Sequence, residues 1–135
     1  MVTAVDTNVL LDVFTNAPHF GLVSAECLRR CLREGTLVAC DVVWAEMAAA
    51  FGQQSALEDA MGRLGIGFSP LQKNAALEAG KCWREYGTSG GARERILADF
   101  LVAAHALCQA DRLLTRDRGF YRLRFNRLTV LDPST

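Results

Sequence analysis

Two aspartates stand where buried strands are predicted to end. Asp6 directly follows the apolar run Val2 to Val5, and Asp117 comes two residues after the run Arg112 to Thr115. Ligand sites of parallel sheets form just beyond the carboxyl ends of the strands, so both acids are expected at the functional edge of a sheet. A turn or a helix cap explains either residue alone equally well.

Two further acids lie in helical segments that are otherwise apolar. Glu46 belongs to DVVWAEMAAAF and Asp99 to ILADFLVAAHAL, and apolar residues flank each acid at helical spacing. A carboxylate on such a face costs roughly several kcal/mol of desolvation unless something compensates it. The alternatives are an exposed helix edge for Glu46 and a surface ion pair with Arg95 for Asp99. Asp is also a poor helix former, so its place inside a helix calls for a reason.

The four acids together predict a pocket that needs a cation. Carboxylates held close together repel one another and take up protons unless a cation neutralises them. Oxygen ligands without a nearby His or Cys favour Mg²⁺ or Mn²⁺ over zinc, and we expect His19 and His105 to be structural or solvated. Such a metal suits phosphodiester hydrolysis, because it lowers the pKa of a bound water and stabilises charge on the phosphate. A phosphatase uses the same ingredients, so spacing alone predicts metal-dependent phosphoryl chemistry.

Short apolar strands that alternate with helices are predicted to position these acids. The alternation is typical of α/β proteins, and we expect a three-layer α/β/α domain around a mostly parallel sheet of about five strands. The predicted strands are Val2 to Val5, Leu37 to Cys40, Ile66 to Phe68, Arg112 to Thr115 and Leu128 to Leu131. The predicted helices are Val9 to Phe14, Gly21 to Glu34, Asp41 to Phe51 with Asp41 as cap, Ser55 to Leu64, Pro70 to Tyr86 with Ser69 as cap, and Ala92 to Ala110. Gly87 to Gly91 is predicted to be a flexible loop.

The length of 135 residues predicts one domain, residues 1–135, and no apolar run is long enough to span a bilayer. The first apolar stretch has no preceding basic residue, which argues against a signal peptide, so we expect a cytoplasmic protein. The five cysteines lack the spacing of a zinc site or a disulfide scaffold, and reduced, mostly buried thiols are expected. Formal net charge is zero, yet six arginines crowd the C-terminal segment, where they favour contact with phosphate. These are Arg112, Arg116, Arg118, Arg122, Arg124 and Arg127.

Four motifs in this order resemble the PIN-domain nucleases, and more closely the virulence-associated protein C toxins of bacterial toxin–antitoxin pairs. The motifs are VDTNVLLD, WAEM, RILADFLVAAHAL and LLTRDRGFYR, and they cover nearly the whole chain. The resemblance implies that Asp6, Glu46, Asp99 and Asp117 form the family's acidic quartet, with Asp6 and Asp99 as direct metal ligands. Asn8 and Thr115 match polar positions that orient this pocket. Gly119 departs from the polar residue common at its position.

The resemblance also implies a function and partners. It implies endonucleolytic cleavage of structured RNA, of the transfer or ribosomal class, by a homodimer whose cognate VapB-like antitoxin blocks the site. We hypothesise that Asp6 and Asp99 hold a metal that activates water, that Glu46 and Asp117 complete its shell, and that arginines hold the RNA backbone. The arginines predicted for RNA binding are Arg93, Arg95, Arg116, Arg118 and Arg122.

Three other classes of protein share parts of the pattern. A haloacid-dehalogenase-like phosphatase needs a second Asp two residues after the first, where this chain has Asn8. A receiver-type phosphoacceptor needs a lysine late in the fold, whereas Lys73 and Lys81 lie in the middle of the chain. A PIN fold that binds RNA or a partner without cleavage is the third alternative, and the presence of all four acids argues against it.

Overall fold

The computed structural model describes residues 1–88 and 96–134 of the chain. Strands and helices alternate through these residues, as the sequence predicts. The strands are β1 (Val2–Val5), β2 (Thr36–Ala39), β3 (Ile66–Phe68), β4 (Arg112–Leu114) and β5 (Val130–Leu131). The helices are α1 (Thr7–Phe14), α2 (Gly21–Glu34), α3 (Asp41–Phe51), α4 (Gln54–Leu64), α5 (Lys73–Thr88), α6 (Leu97–Gln109) and α7 (Arg118–Arg124).

The strands form one parallel sheet in the order β3-β2-β1-β4-β5. β1 is the central strand, and its Thr3 is in register with Leu37 of β2 on one side and Arg112 of β4 on the other. Since neighbouring strands run in the same direction, their carboxyl ends meet at one edge of the sheet. The residues that follow β1 and β4 are therefore brought together, although they are far apart in sequence.

Helices cover both faces of this sheet. Consecutive residues of a strand point to opposite faces, and Thr3, Ala4 and Val5 of β1 are only 0%, 2% and 1% exposed. The next strand, β4, is buried in the same way through Leu113 and Leu114. The predicted α/β class, with five short parallel strands, is confirmed.

The helices on either side of β3 begin or end differently from the prediction in several places. α3 begins at Asp41, but the cap position is Cys40, so the prediction that Asp41 caps this helix is wrong. α3 and α4 end at Gly52 (φ 74°) and Gly65 (φ 73°), which adopt the left-handed backbone that glycine allows at low energetic cost.

α5 begins three residues later than predicted, at Lys73 rather than Pro70. The Ser69 hydroxyl does not cap the helix, because it lies 2.9 Å from Nε2 of the buried His105. The side chain of Gln109 accepts from the Gln72 N–H (2.9 Å) and donates to the Pro70 carbonyl (3.0 Å). Hydrogen bonds from α6 thus hold this segment in a non-helical conformation, which overrides the local capping signal.

The chain from α5 onward contains three more differences. α5 continues through Thr88, so the predicted loop from Gly87 begins inside a helix; positions 89–91 of that loop and the start of the predicted helix at 92–95 lie outside the described residues. α6 begins at Leu97, and Ile96 has extended backbone. The short helix α7 was not predicted at all.

The cysteines follow the prediction in part. Cys27, Cys31 and Cys40 are buried, Cys82 is half-buried and Cys108 is exposed, and all five are free thiols. Cys27 and Cys31 lie on the buried side of α2. Within the described ranges, no helix combines the length and the apolar character that crossing a membrane requires.

Candidate active site

Asp6 lies at the carboxyl end of the central strand, and it is 8% exposed. Its Oδ1 accepts a hydrogen bond from the Thr7 N–H (2.8 Å), so it is the N-cap of α1. Its Oδ2 accepts from the Thr115 hydroxyl (2.8 Å) and from the Tyr121 hydroxyl (3.2 Å). Asp6 is therefore both a helix cap and the acceptor at the centre of a polar network.

Asn8 and Thr115 hold this network together. The Asn8 side-chain amide donates to the Thr115 hydroxyl (3.2 Å) and, at 3.5 Å, to Asp6 Oδ2. The Thr115 hydroxyl also accepts from the Asp117 N–H (3.0 Å). One threonine hydroxyl thus links the acid after β1 to the backbone of the acid after β4.

Burial dominates the electrostatics of Asp6. The pKa of this carboxyl is raised from 3.8 to about 6. Desolvation is the main cause and the negative charge of Asp99 adds to it, whereas the hydrogen bonds from Thr115, Thr7 and Tyr121 lower the pKa. A carboxylate in this position is poorly compensated near neutral pH. It gains stability from a cation or from a proton.

Tyr121 is a site residue that the sequence did not reveal. It is 1% exposed, and its hydroxyl donates to Asp6. Burial raises the pKa of this phenol far above its usual value, and the charges of Asp6, Asp99 and Asp117 raise it further. Three of the four predicted acids therefore act on one buried hydroxyl. Its position four residues after Asp117 would have indicated this only if α7 had been predicted.

Asp99 lies in the first turn of α6, not in its interior. Its Oδ2 accepts from the Ile96 N–H (3.1 Å), and a negative charge is favourable at this end of a helix. The argument that an Asp inside a helix needs a functional reason is therefore wrong for Asp99. Its side chain is half-buried, and its charge reaches Asp6, as the pKa of that carboxyl indicates. Arg95, its predicted alternative partner, lies outside the described residues.

Glu46 is exposed, so the expected desolvation cost at this residue is wrong. The flanking Ala49 and Ala50 are themselves exposed, which leaves that side of α3 open to solvent. Glu46 Oε1 accepts from the Thr7 hydroxyl at 2.7 Å, and Thr7 follows Asp6 directly. This contact links Glu46 to the residue that follows Asp6, and Thr7 is a second residue that the sequence did not reveal.

The donor set fits a hard divalent cation in its chemistry. The acids supply only oxygen, and a buried Asp6 next to the charge of Asp99 is stabilised by positive charge. Among residues 1–88 and 96–134, no three Asp, Glu, His or Cys side chains form a complete metal-binding group. Mg²⁺ usually retains several waters and is held by one or two carboxylates, so a group of three protein ligands is not required for it.

The arginines predicted for RNA binding are in different environments. Arg116 forms a two-pronged ion pair with the buried Asp12, in which Nη2 lies 3.1 Å from Oδ1. Arg118 lies 3.6 Å from Asp132, and Arg122 is exposed on α7. Arg93 and Arg95 lie outside the described residues.

Arg112, another member of the C-terminal arginine group, lies at the opposite end of β4 from the acids and is 8% exposed. It donates to Glu34 (2.7 Å) and to the Thr3 hydroxyl (2.9 Å). Arg112 is therefore buried and held by protein groups, which gives it a structural role instead of the predicted contact with phosphate.

Comparison with known families agrees with this fold. Residues 3–126 match the family model of the PIN domain. The chain belongs to the PIN-domain family. A search of curated proteins found no match.

Several solved structures have a similar fold. VapBC2 from Rickettsia felis, bound to a DNA fragment from its promoter, matches with a TM-score of 0.74 at 17% identity over 98% of each chain. VapBC-1 from nontypeable Haemophilus influenzae matches with a TM-score of 0.74 at 24% identity over 100% of each chain. A toxin–antitoxin complex from Klebsiella pneumoniae matches with a TM-score of 0.67 at 18% identity over 97% of each chain. At these identities the matches establish a shared fold.

Proposed function

We propose that this chain, as a single domain, is the toxin of a toxin–antitoxin pair and acts as a metal-dependent endoribonuclease. Its proposed substrate is structured RNA of the transfer or ribosomal class, and its proposed cofactor is Mg²⁺ or Mn²⁺. Asp6, Glu46, Asp99 and Asp117 are the proposed catalytic and metal-binding residues.

The observation that carries this proposal is the state of Asp6. A buried carboxylate whose pKa is raised to about 6, with the charge of Asp99 nearby, is unfavourable near neutral pH without a cation. Perturbed carboxyls at the carboxyl edge of a parallel sheet are typical of functional sites. A buried carboxylate that is unfavourable at neutral pH does not stabilise the fold, which favours a functional role for Asp6.

We propose a separate role for each group of residues in the site. Asp6 and Asp99 would hold the cation, while Thr115, Asn8 and Tyr121 fix the orientation of the Asp6 carboxylate. Bound Mg²⁺ or Mn²⁺ supplies a water of lowered pKa and positive charge for the phosphate and the leaving oxygen. The Thr7 hydroxyl orients Glu46 at the open side of the site, where Glu46 can accept a proton from an attacking water.

RNA and protein partners follow from the same proposal. Arg118 and Arg122 lie one turn apart on α7, directly after Asp117, and are the described arginines best placed to hold phosphate beside the acids. Arg93 and Arg95 remain predictions. The similarity to VapBC complexes supports a VapB-like antitoxin as partner. The proposed active form is a homodimer of this chain.

Cleavage of total RNA by the purified chain tests the activity. We expect discrete fragments with Mg²⁺ or Mn²⁺ and none with excess chelator, and mapping of the new RNA ends would identify the substrate. Asp6→Asn and Asp99→Asn should each remove cleavage while the fold is retained. Asp59→Asn is the matched control, because Asp59 is exposed on α4, where it pairs with Arg63.

Three outcomes would contradict the proposal. Cleavage that persists in chelator would exclude a metal-dependent reaction, and full activity of Asp6→Asn or Asp99→Asn would exclude the proposed ligands. RNA binding without fragments at any metal concentration would instead favour a binding protein. Hydrolysis of a small phosphate monoester, but not of RNA, would favour a phosphatase.

The proposed partner is tested by the genomic neighbourhood. A short reading frame just upstream is expected to encode the antitoxin, and its product should copurify with this chain and suppress cleavage. Copurification without suppression would contradict an antitoxin role for that product.

A further inference from the structure

An ion pair lies behind the acidic site, between α1 and the segment that joins β4 to α7. Asp12 of α1 is 6% exposed, and both of its carboxylate oxygens accept from the Arg116 guanidinium. The Ser24 hydroxyl donates to the same carboxylate at 3.3 Å. A bidentate pair of this kind fixes the orientation as well as the distance of its two partners.

The Arg116 side chain is also held on its other face. Its guanidinium carbon lies 4.1 Å from the centre of the Phe20 ring, so the planar cation stacks on an aromatic side chain. The side chain is 31% exposed. The guanidinium is therefore directed toward α1 and Phe20, and its main hydrogen-bonding edge is occupied by protein.

The backbone of the same residue is held by α1 as well. The Arg116 N–H donates to Asn8 Oδ1 at 3.2 Å, and Asn8 precedes Asp12 by one helical turn. α1 thus binds Arg116 through two sets of hydrogen bonds: Asn8 accepts from its backbone, and Asp12 accepts from its side chain. The two neighbours of Arg116 belong to the polar network of the site: the Thr115 hydroxyl donates to Asp6, and the Asp117 N–H donates to the Thr115 hydroxyl.

We propose that Asp12 and Arg116 are positioning residues that hold Thr115 against Asp6 and Asp117 against Thr115, and that Arg116 does not bind RNA. This inference rests on the proposed nuclease function for its kinetic consequences, whereas its geometric part does not. Arg116 therefore has a structural role inside the protein, whereas the arginine-rich composition of this segment predicts that it binds phosphate.

The kinetic test uses Asp12→Asn and Arg116→Gln, with Arg116→Lys as the milder variant. A positioning role predicts a fall in kcat of about tenfold or more, because small misplacements of a reacting group are costly, with KM for RNA unchanged within about twofold. Arg116→Lys should recover part of the loss, since a lysine keeps the charge but cannot form the two-pronged pair. The double variant of Asp12 and Arg116 should lose no more than the worse single variant.

The geometric test measures amide hydrogen exchange in the folded, metal-free protein. Exchange of the Asp117 N–H, which donates to the Thr115 hydroxyl, should be faster in Asp12→Asn and Arg116→Gln than in the unmodified chain. Glu34→Gln is the matched control, because it disrupts the ion pair of Arg112 at the far end of β4. This control should lower thermal stability without a change in kcat or in exchange at Asp117.

The outcomes separate the two ideas. A raised KM with unchanged kcat in Arg116→Gln would show that Arg116 binds RNA and would overturn the inference. Unchanged exchange at Asp117 in both variants would also overturn it. If the unmodified chain cleaves no RNA, the proposed function fails, and the exchange measurement alone still decides whether Asp12 and Arg116 order this segment.

Discussion

Asp6→Asn should make the metal-free protein more stable at neutral pH while it removes cleavage. Asp6 is buried, and its carboxylate is ionised near pH 7 in an environment that disfavours the charge. An amide at this position removes the charge and can still accept the hydrogen bond from the Thr7 N–H at the start of α1. The substitution therefore separates the stability of the fold from the chemistry of the site.

The size of the effect follows from the pKa of Asp6. The folded-state pKa is about 6, against 3.8 for an ordinary Asp, and at about 1.4 kcal/mol per pKa unit this corresponds to about 3 kcal/mol. Between pH 3.8 and 6 the unfolded state releases this proton first, so the free energy of unfolding falls as pH rises through that window. Above pH 6 the cost is constant. The amide must also face hydroxyl donors at Oδ2, so about 3 kcal/mol is an upper limit for the gain.

Thermal unfolding in chelator at pH 7.5 and at pH 4 measures this effect. We expect the Tm of Asp6→Asn to exceed that of the unmodified chain at pH 7.5 by up to the order of 10 °C, and the gap to shrink at pH 4. Excess Mg²⁺ or Mn²⁺ should raise the Tm of the unmodified chain but not the Tm of Asp6→Asn. The Tm of Asp59→Asn, a variant that keeps Asp6, should follow that of the unmodified chain at both pH values. A variant that is less stable than the unmodified chain at pH 7.5, by a gap that widens with pH, would refute the reasoning.

Three further predictions concern the rest of the molecule. Glu46→Gln should abolish or strongly reduce cleavage, yet change the free energy of unfolding by no more than about 0.5 kcal/mol, because Glu46 is exposed; a large loss of Tm would contradict this. Gly35→Ala should destabilise the protein by about 2 kcal/mol or more in denaturant unfolding, since a Cβ there would lie 1.8 Å from the Met1 carbonyl oxygen, to which Thr36 donates; an unchanged midpoint would show that the chain end simply moves aside. Burial lowers the pKa of His105 below 6.5, so its contribution to stability is present above pH 6.5 and is lost as pH falls further, and His105→Gln should flatten this part of the stability profile.

The alternation of strands and helices could be predicted because it depends on local apolar patterns. β1, α2 and β3 have the predicted bounds, since each is a short apolar run or an amphipathic stretch with a clear end. The start of α5 could not be predicted, because the hydroxyl of Ser69 bonds His105, which lies 36 residues away. α7 has only seven residues, which is too short for a helical period to stand out.

The sequence predicted where the acids of the candidate site lie better than it predicted the physical reasons for their positions. Asp6 and Asp117 lie where the strand-end argument expects them, because parallel strands impose one common edge. The argument for Glu46 failed because alanine counts as apolar in a sequence pattern, yet Ala49 and Ala50 are exposed on α3. Tyr121 and the Asp12–Arg116 pair depend on contacts between distant segments, which a local pattern does not contain.

The central place of β1 also governs when the protein can become active during its synthesis. The Asp6 carboxylate and the Thr115 hydroxyl are 109 residues apart in sequence. β1, the first strand to be synthesised, therefore cannot pair with β4 until β4 has emerged from the ribosome. Such long-range pairing makes folding slow relative to helical proteins of the same size. A nascent or prematurely terminated chain that ends before β4 lacks both Thr115 and Asp117, so the proposed active site cannot form, however well the earlier helices fold.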